Sequence, residues 1–245
     1  MRLKTIPFAA LTAFTIAGSA SATVLLTDNF NSSSRNGASF NDNSALTADQ
    51  SGSLITVPCA LGGSPYSDGA SMTLNMQGNG WGGEWASPDH NFATDANSAN
   101  KPLEIQFDMW FDSSNDNNSW ICFSLDSTKG ALLSGYNFYK RQSEGQHNYK
   151  LVISDTVGTG SGFNGIANGA KVEFFIDNAS QGTTVNTLAT DGGYITFHAL
   201  PGYWAGYGAT WGLGHVDNLT VSLVPEPSAA LLGSLGMIAL LRRRR

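Results

Sequence analysis

The strongest constraint on the fold is the stretch 103–111, Leu-Glu-Ile-Gln-Phe-Asp-Met-Trp-Phe. Leu103, Ile105, Phe107, Met109 and Phe111 take alternate positions; Glu104, Gln106, Asp108 and Trp110 fill those between. Successive side chains of a strand point to opposite faces, so strict alternation over nine residues describes one buried face and one more polar face. Shorter stretches of similar character fall at 24–30, 53–57, 71–76, 120–125, 136–139, 149–154, 172–177, 194–199 and 216–223, with Gly, Asn, Asp and Ser between them. Outside the two termini no interval carries a helical apolar stripe longer than about two turns. Many short strands with glycine-rich turns predict an all-β sandwich or barrel. No repeat and no shift in composition divides residues 23–223, which read as one domain with room for a sizeable core.

The termini carry signals of another kind. In residues 1–22, Arg2 and Lys4 precede an apolar run at 8–17, and Ala20-Ser21-Ala22 supplies the small residues of a cleavage site. This is the pattern of a secretory signal peptide, with Thr23 as the first mature residue. A membrane anchor is the alternative, but the apolar run is short. At the other end, residues 224–245 read Val-Pro-Glu-Pro, then an uncharged, mostly apolar run at 228–241, then Arg242, Arg243, Arg244 and Arg245. Pro225 and Pro227 hold the backbone around Glu226 extended, as a processing enzyme requires. As a helix the apolar run spans about 21 Å, short of a hydrocarbon core of about 30 Å, so it makes a marginal transmembrane anchor. The arginines would hold its end on the cytoplasmic side.

The order Pro225-Glu226-Pro227, apolar helix, arginine cluster resembles the PEP-CTERM sorting signal of Gram-negative bacteria. The resemblance covers 22 of 245 residues. It implies an exosortase-type processing enzyme as partner, a transient inner-membrane intermediate, and delivery to the cell envelope or the extracellular space. An ordinary tail anchor is the alternative. The tail is an address and specifies no activity.

Charge and cysteine content narrow the partners. Six of the 13 basic residues lie in the terminal signals, so the other seven face all 19 acids and residues 23–227 carry −12. Nucleic acid and anionic lipid both require positive surface and are excluded on that ground. Cys59 and Cys122 are the only cysteines. An oxidising compartment permits one disulfide between them; two buried free thiols are the equal alternative.

Two segments resemble the concanavalin A-like lectin/glucanase jelly roll and its laminin G-like relatives: Leu26-Thr27-Asp28-Asn29-Phe30 near the start and His215-Val216-Asp217-Asn218-Leu219-Thr220-Val221 near the end. The resemblance implies a single two-sheet sandwich whose first and last strands are neighbours. Some glycoside hydrolases of that fold carry E-x-D-x-E on one strand. The matching positions here are Glu104, Gln106 and Asp108, and two of the three depart. Positions four apart on a regular strand are about 13 Å apart, against roughly 5 to 9.5 Å between glycosidase carboxylates. The row reads as a solvated sheet face, and no catalytic residue is assigned.

Trp81 and Trp85, then Tyr203, Trp204, Tyr207 and Trp211, lie in two glycine-rich stretches. Such rings can stack on the apolar face of a pyranose while Asn and Asp bond its hydroxyls. The alternative is rings folded back as plugs at the ends of the sandwich. Oxygen ligands suggest a structural Ca²⁺ either at Asp28 and Asp217, brought together by pairing of the end strands, or in the loop of Asp112, Asn115, Asp116 and Asn118. No other cofactor is expected. Gly160 to Gly165 fits G-x-G-x-x-G but opens no helix, and there is no G-x-S-x-G or H-E-x-x-H. The four histidines are scattered, and His198 shares the parity of Tyr194 and Thr196, as a sheet-face residue would. The expected function is a non-catalytic surface or matrix protein that binds neutral glycans. A glycan-active hydrolase or lyase is the runner-up and a purely structural or adhesive module the third reading.

Overall fold

The alternating stretch forms a nine-residue strand, Leu103–Phe111, at the centre of the larger of two sheets. A computed structural model describes residues 21–31, 50–54, 57, 59–63, 65–75, 84–111, 120–126, 128–130, 136–140, 145–155, 170–186, 193–200 and 213–224. The elements below belong to the compact unit Ala22–Pro225. Residues 1–20 and 225–245, which hold most of the expected leader and sorting signals, including Pro225, Glu226, Pro227 and the four arginines, lie outside the described residues. Among the described residues no helix is long and apolar enough to cross a membrane.

The chain order is β1 (Thr23–Asp28), β2 (Gln50–Ser51), β3 (Cys59–Gly62), β4 (Tyr66–Ser67), β5 (Met72–Asn75), β6 (Trp85–Pro88), α1 (Phe92–Ala99), β7 (Leu103–Phe111), β8 (Trp120–Asp126), β9 (Tyr136–Lys140), β10 (His147–Asp155), β11 (Ala170–Ile176), β12 (Ala179–Asn186), β13 (Tyr194–Leu200) and β14 (Leu213–Leu223). The larger sheet runs β12-β11-β10-β7-β14-β1-β2, with β5 beside the first half of β14 and β4 beside β5. The smaller runs β3-β6-β13-β8-β9. Every pairing is antiparallel, and the two sheets form a β-sandwich. β1 and β14 are neighbours, with Thr23 opposite Leu223 and Asp28 opposite Leu219, as the jelly-roll resemblance implies.

The faces follow the alternation. Leu103, Ile105, Phe107 and Met109 are at most 1% exposed, whereas Glu104, Gln106, Asp108 and Trp110 are half-buried. The first set packs into the core. Phe107 stacks on Phe123 of the opposite sheet at 4.9 Å and on Tyr149 of its own at 5.5 Å, and meets Phe197 edge-on at 5.0 Å. Aromatic pairs in these geometries add to what burial alone supplies. The helix α1 is two turns long, capped by Asn91, whose side chain accepts from Ala93 N–H at 3.1 Å, and closed by Asn100 in the left-handed region. It buries Phe92, Ala93 and Ala96 against the core.

Because Phe107 bridges the sheets, Phe107→Ala should destabilise the protein by about 3 to 5 kcal/mol, through lost burial and a residual cavity. Gln106→Ala, one position along on the other face, should cost about 1 kcal/mol or less, since it removes one half-buried amide bond to Asn148. Chemical denaturation of both variants checks the pair, and equal losses would overturn the face assignment.

Candidate functional site

The face of the larger sheet turned away from the core gathers polar side chains from β5, β7, β10 and β14. Register sets the rows. Trp110 lies opposite His215, and His215 opposite Thr73; Asp108 lies between Asp217 and Asn148; Gln106 lies between Thr220 and Lys150. The register of β14 against β7 shifts between Asp217 and Thr220, where Asn218 adopts φ 52°. Leu219 still turns inward and is fully buried. Such a bulge adds one residue to the outer edge of the row and re-aims it. Asn is among the few non-glycine residues that enter this region at small cost.

The bulge ties two carboxylates together. Asn218 Nδ2 donates to Asp108 Oδ2 at 2.9 Å and to Asp217 Oδ2 at 3.0 Å, while Asn218 N–H donates to Asp217 Oδ1 at 2.7 Å. Asp108 also accepts from Asn148 Nδ2 at 2.8 Å and from Gln146 Nε2 at 3.1 Å, and Gln106 donates to Asn148 Oδ1 at 3.0 Å. Burial pushes the Asp217 carboxyl above the ordinary carboxylate value; the charges of Asp108 and Asp68 add to this, against the opposing Asn218 N–H.

Beside this pair stands a second group. The His215 ring stacks under Trp110 at 5.0 Å with 10° between the planes. Its Nδ1 is 3.1 Å from Ser71 Oγ, 3.3 Å from Thr73 Oγ1 and 3.6 Å from Asp68 Oδ2. Burial raises the Asp68 carboxyl, but the N–H groups of Ala70 and Ser71, the Ser71 hydroxyl and His215 outweigh it and hold the group below its ordinary value. At the far end of the row Lys150 Nζ sits 4.5 Å over the Phe175 ring. Together these groups offer a half-buried indole next to fixed amides and carboxylates, a surface that can hold hydroxyl groups from several directions.

The residues nominated from sequence fall differently. Trp81, Tyr203, Trp204, Tyr207 and Trp211 lie outside the described residues, as do Asp112, Asn115, Asp116 and Asn118. Trp85 is half-buried and packs between Gly62 and Gly130; a Cβ at either glycine would occupy the space of its ring. Asp28 and Asp217 do not share a face. Asp28 is buried opposite Leu219 and accepts from Phe30 N–H at 3.0 Å, whereas Asp217 lies opposite Asp108 on the outer row. Among the described residues no three His, Cys, Asp or Glu side chains are arranged to hold a metal ion.

Of the two alternatives for the cysteines, the structure has the thiols: Cys59 and Cys122 are both buried and are not bonded to each other. Cys59 is on β3 and Cys122 on β8, with β6 and β13 between them. Three strand spacings make about 14 Å, against an upper limit near 7 Å for bridgeable Cα atoms. Burial, and then the charge of Asp126, push the Cys122 thiol up to about 12, which keeps it protonated.

Trp110, Asn148, Asn218 and His215 were not nominated from sequence. The polar row ending in an aromatic, Glu-Gln-Asp-Trp, was a signal available for Trp110. Nothing local identifies Asn148 or Asn218 as partners of Asp108.

Fold and site together define an antiparallel β-sandwich with a polar, aromatic-tipped sheet face. No protein-family profile and no curated protein matches the sequence. Among solved structures, similar chains include the binding domain of botulinum neurotoxin serotype D/C, 8% identical over 86% of this chain and 51% of that one, with a TM-score of 0.47. The carbohydrate esterase vb_24B_21 of Shiga toxin-encoding bacteriophage phi24B is 12% identical over 84% of this chain and all of that one, with a TM-score of 0.46. This chain spans about half the length of the neurotoxin domain. Likenesses this distant assign neither a family nor an activity.

The raised Asp217 carboxyl has a consequence for stability. The folded state holds that proton more tightly than the unfolded chain, so it loses stability as pH rises through the carboxylate range. Asp217→Asn keeps an acceptor for Asn218 N–H and removes the charge. Its melting temperature should match the wild type at acidic pH and exceed it increasingly as pH rises toward neutrality, then level off. A variant that loses stability at neutral pH relative to acidic pH would overturn the assignment.

Proposed function

We propose that this chain is an exported, envelope-sorted surface or matrix protein that binds a neutral glycan on the outer face of its larger sheet, without chemistry on it. The carrying observation is the Trp110 indole at the end of a row formed by Asp108, Asn148, Gln106 and Asn218. A pyranose has an apolar C–H face for the ring and a rim of hydroxyls for the amides and carboxylates. The amides are already tied to one another, so little side-chain freedom is lost on binding. Asp68, Asp108 and Asp217, with the −12 charge of residues 23–227, repel uronic-acid-rich or sulfated polymers. Support for export and sorting is the leader and the Pro225-Glu226-Pro227 tail.

A panel of immobilised polysaccharides tests this, with retention and reducing-end release scored together. Weak retention of a neutral polymer is expected, on the order of tens of micromolar to millimolar, insensitive to salt. Trp110→Ala and Asn148→Ala should each lose retention while keeping the wild-type circular dichroism. Retention of no neutral polymer would put the structural or adhesive reading first.

A glycan-active enzyme is the second reading. Asp108 and Asp217 both lie within 3.0 Å of one amide nitrogen, so their nearest oxygens are at most about 6 Å apart, against about 5 to 5.5 Å between the carboxyl groups of retaining glycosidases. Reducing ends released by the wild type and abolished by Asp108→Asn would put it ahead of binding. The sorting half is checked separately: mass spectrometry of envelope or secreted protein should find no peptide beyond about residue 227, and mature protein that retains Arg242 to Arg245 would sink it.

A further inference from the structure

The Trp110 indole has two faces to offer a ligand, and one is already taken. β7 has two neighbours, β14 and β10. From β14 the His215 ring lies flat against one face of the indole, with 5.0 Å between centroids and 10° between planes. An imidazole turns about its Cβ–Cγ bond unless a nitrogen is tethered, and here the tether is at Nδ1.

The tether begins at the turn between β4 and β5. Asp68 Oδ1 accepts from the N–H groups of Ala70 and Ser71, each at 2.8 Å, and Asp68 N–H donates to the Ser71 carbonyl at 3.1 Å. The carboxylate is thereby fixed. Its other oxygen, Oδ2, accepts from Ser71 Oγ at 3.2 Å and from Thr73 Oγ1 at 3.4 Å. An ionised carboxylate only accepts, and each hydroxyl has one proton to give. With both protons directed at Asp68, the two hydroxyl oxygens accept from His215 Nδ1, 3.1 Å from Ser71 and 3.3 Å from Thr73. Nδ1 therefore carries the ring hydrogen. Charge acts in the same direction: Asp68 Oδ2 is 3.6 Å from Nδ1, and a bare lone pair there would face a carboxylate and two hydroxyl oxygens. Ser71 and Thr73 are fully buried and His215 is 6% exposed, so water competes little for these bonds.

We infer that His215 is a positioning residue of the binding face: Asp68, through Ser71 and Thr73, locks it as the Nδ1–H tautomer, and the locked ring holds the indole so that a glycan stacks on the opposite, β10-facing side of Trp110. The choice of ligand rests on the function proposed above; the tether does not. The β10 side is also where the amides stand. Asn148 on β10 and the exposed Gln146 just before it both donate to Asp108. A pyranose against that face of the indole has its hydroxyl rim beside those amides. An indole held from behind loses less freedom when the sugar arrives.

Nitrogen-15 NMR of the histidine rings, with His215 assigned by a His215→Gln variant, reads the tether without a ligand. In the alkaline range, where an ordinary imidazole holds one ring proton, that proton should be on Nδ1. Asp68→Asn keeps the acceptor toward Ala70 and Ser71 but places a donor at the Oδ2 position. The hydroxyls should then turn toward the imidazole and the ring proton should move to Nε2, with circular dichroism unchanged. A proton on Nε2 in the wild type, or a tautomer indifferent to Asp68→Asn, would overturn the tether; if that variant does not fold, the wild-type tautomer decides. Positioning is also read without a ligand. The Trp110 indole N–H resonance, assigned by Trp110→Phe, should broaden in His215→Ala and sharpen again in His215→Phe; an unchanged signal in His215→Ala would overturn the role. On the neutral polysaccharide panel His215→Ala should weaken retention about threefold to tenfold, the worth of one aromatic stack, and His215→Phe should restore most of it. Gln146→Ala should weaken retention as well, and retention indifferent to it would overturn the side assigned to the glycan. A wild type that retains no neutral polymer would sink the glycan reading and with it the assigned side, while the two resonances still decide the tether and the positioning.

Discussion

The aromatic contact across the two sheets is what the remaining architecture depends on. Phe107 from the larger sheet touches Phe123 and Phe197 from the smaller and Tyr149 beside it, and all four are at most 1% exposed. Tyr149 continues the stack to Phe174 on β11. Large rings bury more area than any other side chains and tolerate little rearrangement. They hold β7, β8, β10 and β13 in one arrangement. That arrangement makes the outer faces of both sheets reproducible platforms rather than shifting surfaces.

The two platforms use the same alternation to different ends. On the larger sheet Gln106, Asp108, Trp110 and Lys150 stay half-buried and in reach of solvent. Their mutual bonds orient them without consuming all their capacity, since Asp108 keeps lone-pair directions beyond its three amide donors. On the smaller sheet Ser124, Asp126, Thr196 and His198 are sealed off. There the dielectric is low, and an unsatisfied atom is costly enough to demand a partner. A binding role therefore suits the first face and an internal structural role the second.

The bulge in β14 links fold to site. It lets β14 pair with β7 on one side and with both β5 and β1 on the other while Asn218 is displaced outward. Without the extra residue, the inward sequence of Val216, Leu219 and Val221 could not be kept in register with β7. The irregularity serves the core and the polar row at once, because one inserted residue restores the parity of the first and supplies the bridging amide of the second.

Much of this was legible in the sequence and part was not, for physical reasons. The two-residue period of β7 determined its faces, and the jelly-roll resemblance of residues 26–30 and 215–221 implied neighbouring end strands. Even the bulge was written there, in apolar positions 216, 219, 221 and 223 with one three-residue gap. β2, β3, β4 and β6 escaped notice because two to four residues are too few to establish a period, and β2 lies at Gln50–Ser51, just before the expected stretch 53–57. β12 escaped because Ala-Ser-Gln-Gly-Thr-Thr-Val-Asn is polar on an edge, although the Asp177–Asn178 pair before it, both at positive φ, is a hairpin turn signal. Only tertiary structure decided which residues meet. Strand order separates Cys59 from Cys122 and turns Asp28 away from Asp217, and it brings Asn218 to Asp108 from 110 residues away. The period of a strand is local, because it follows from the pleat and the side chains of that segment alone. The identity of its neighbour is a global choice, made by whichever sheet order buries all the apolar faces in one core, and no single stretch of sequence contains it.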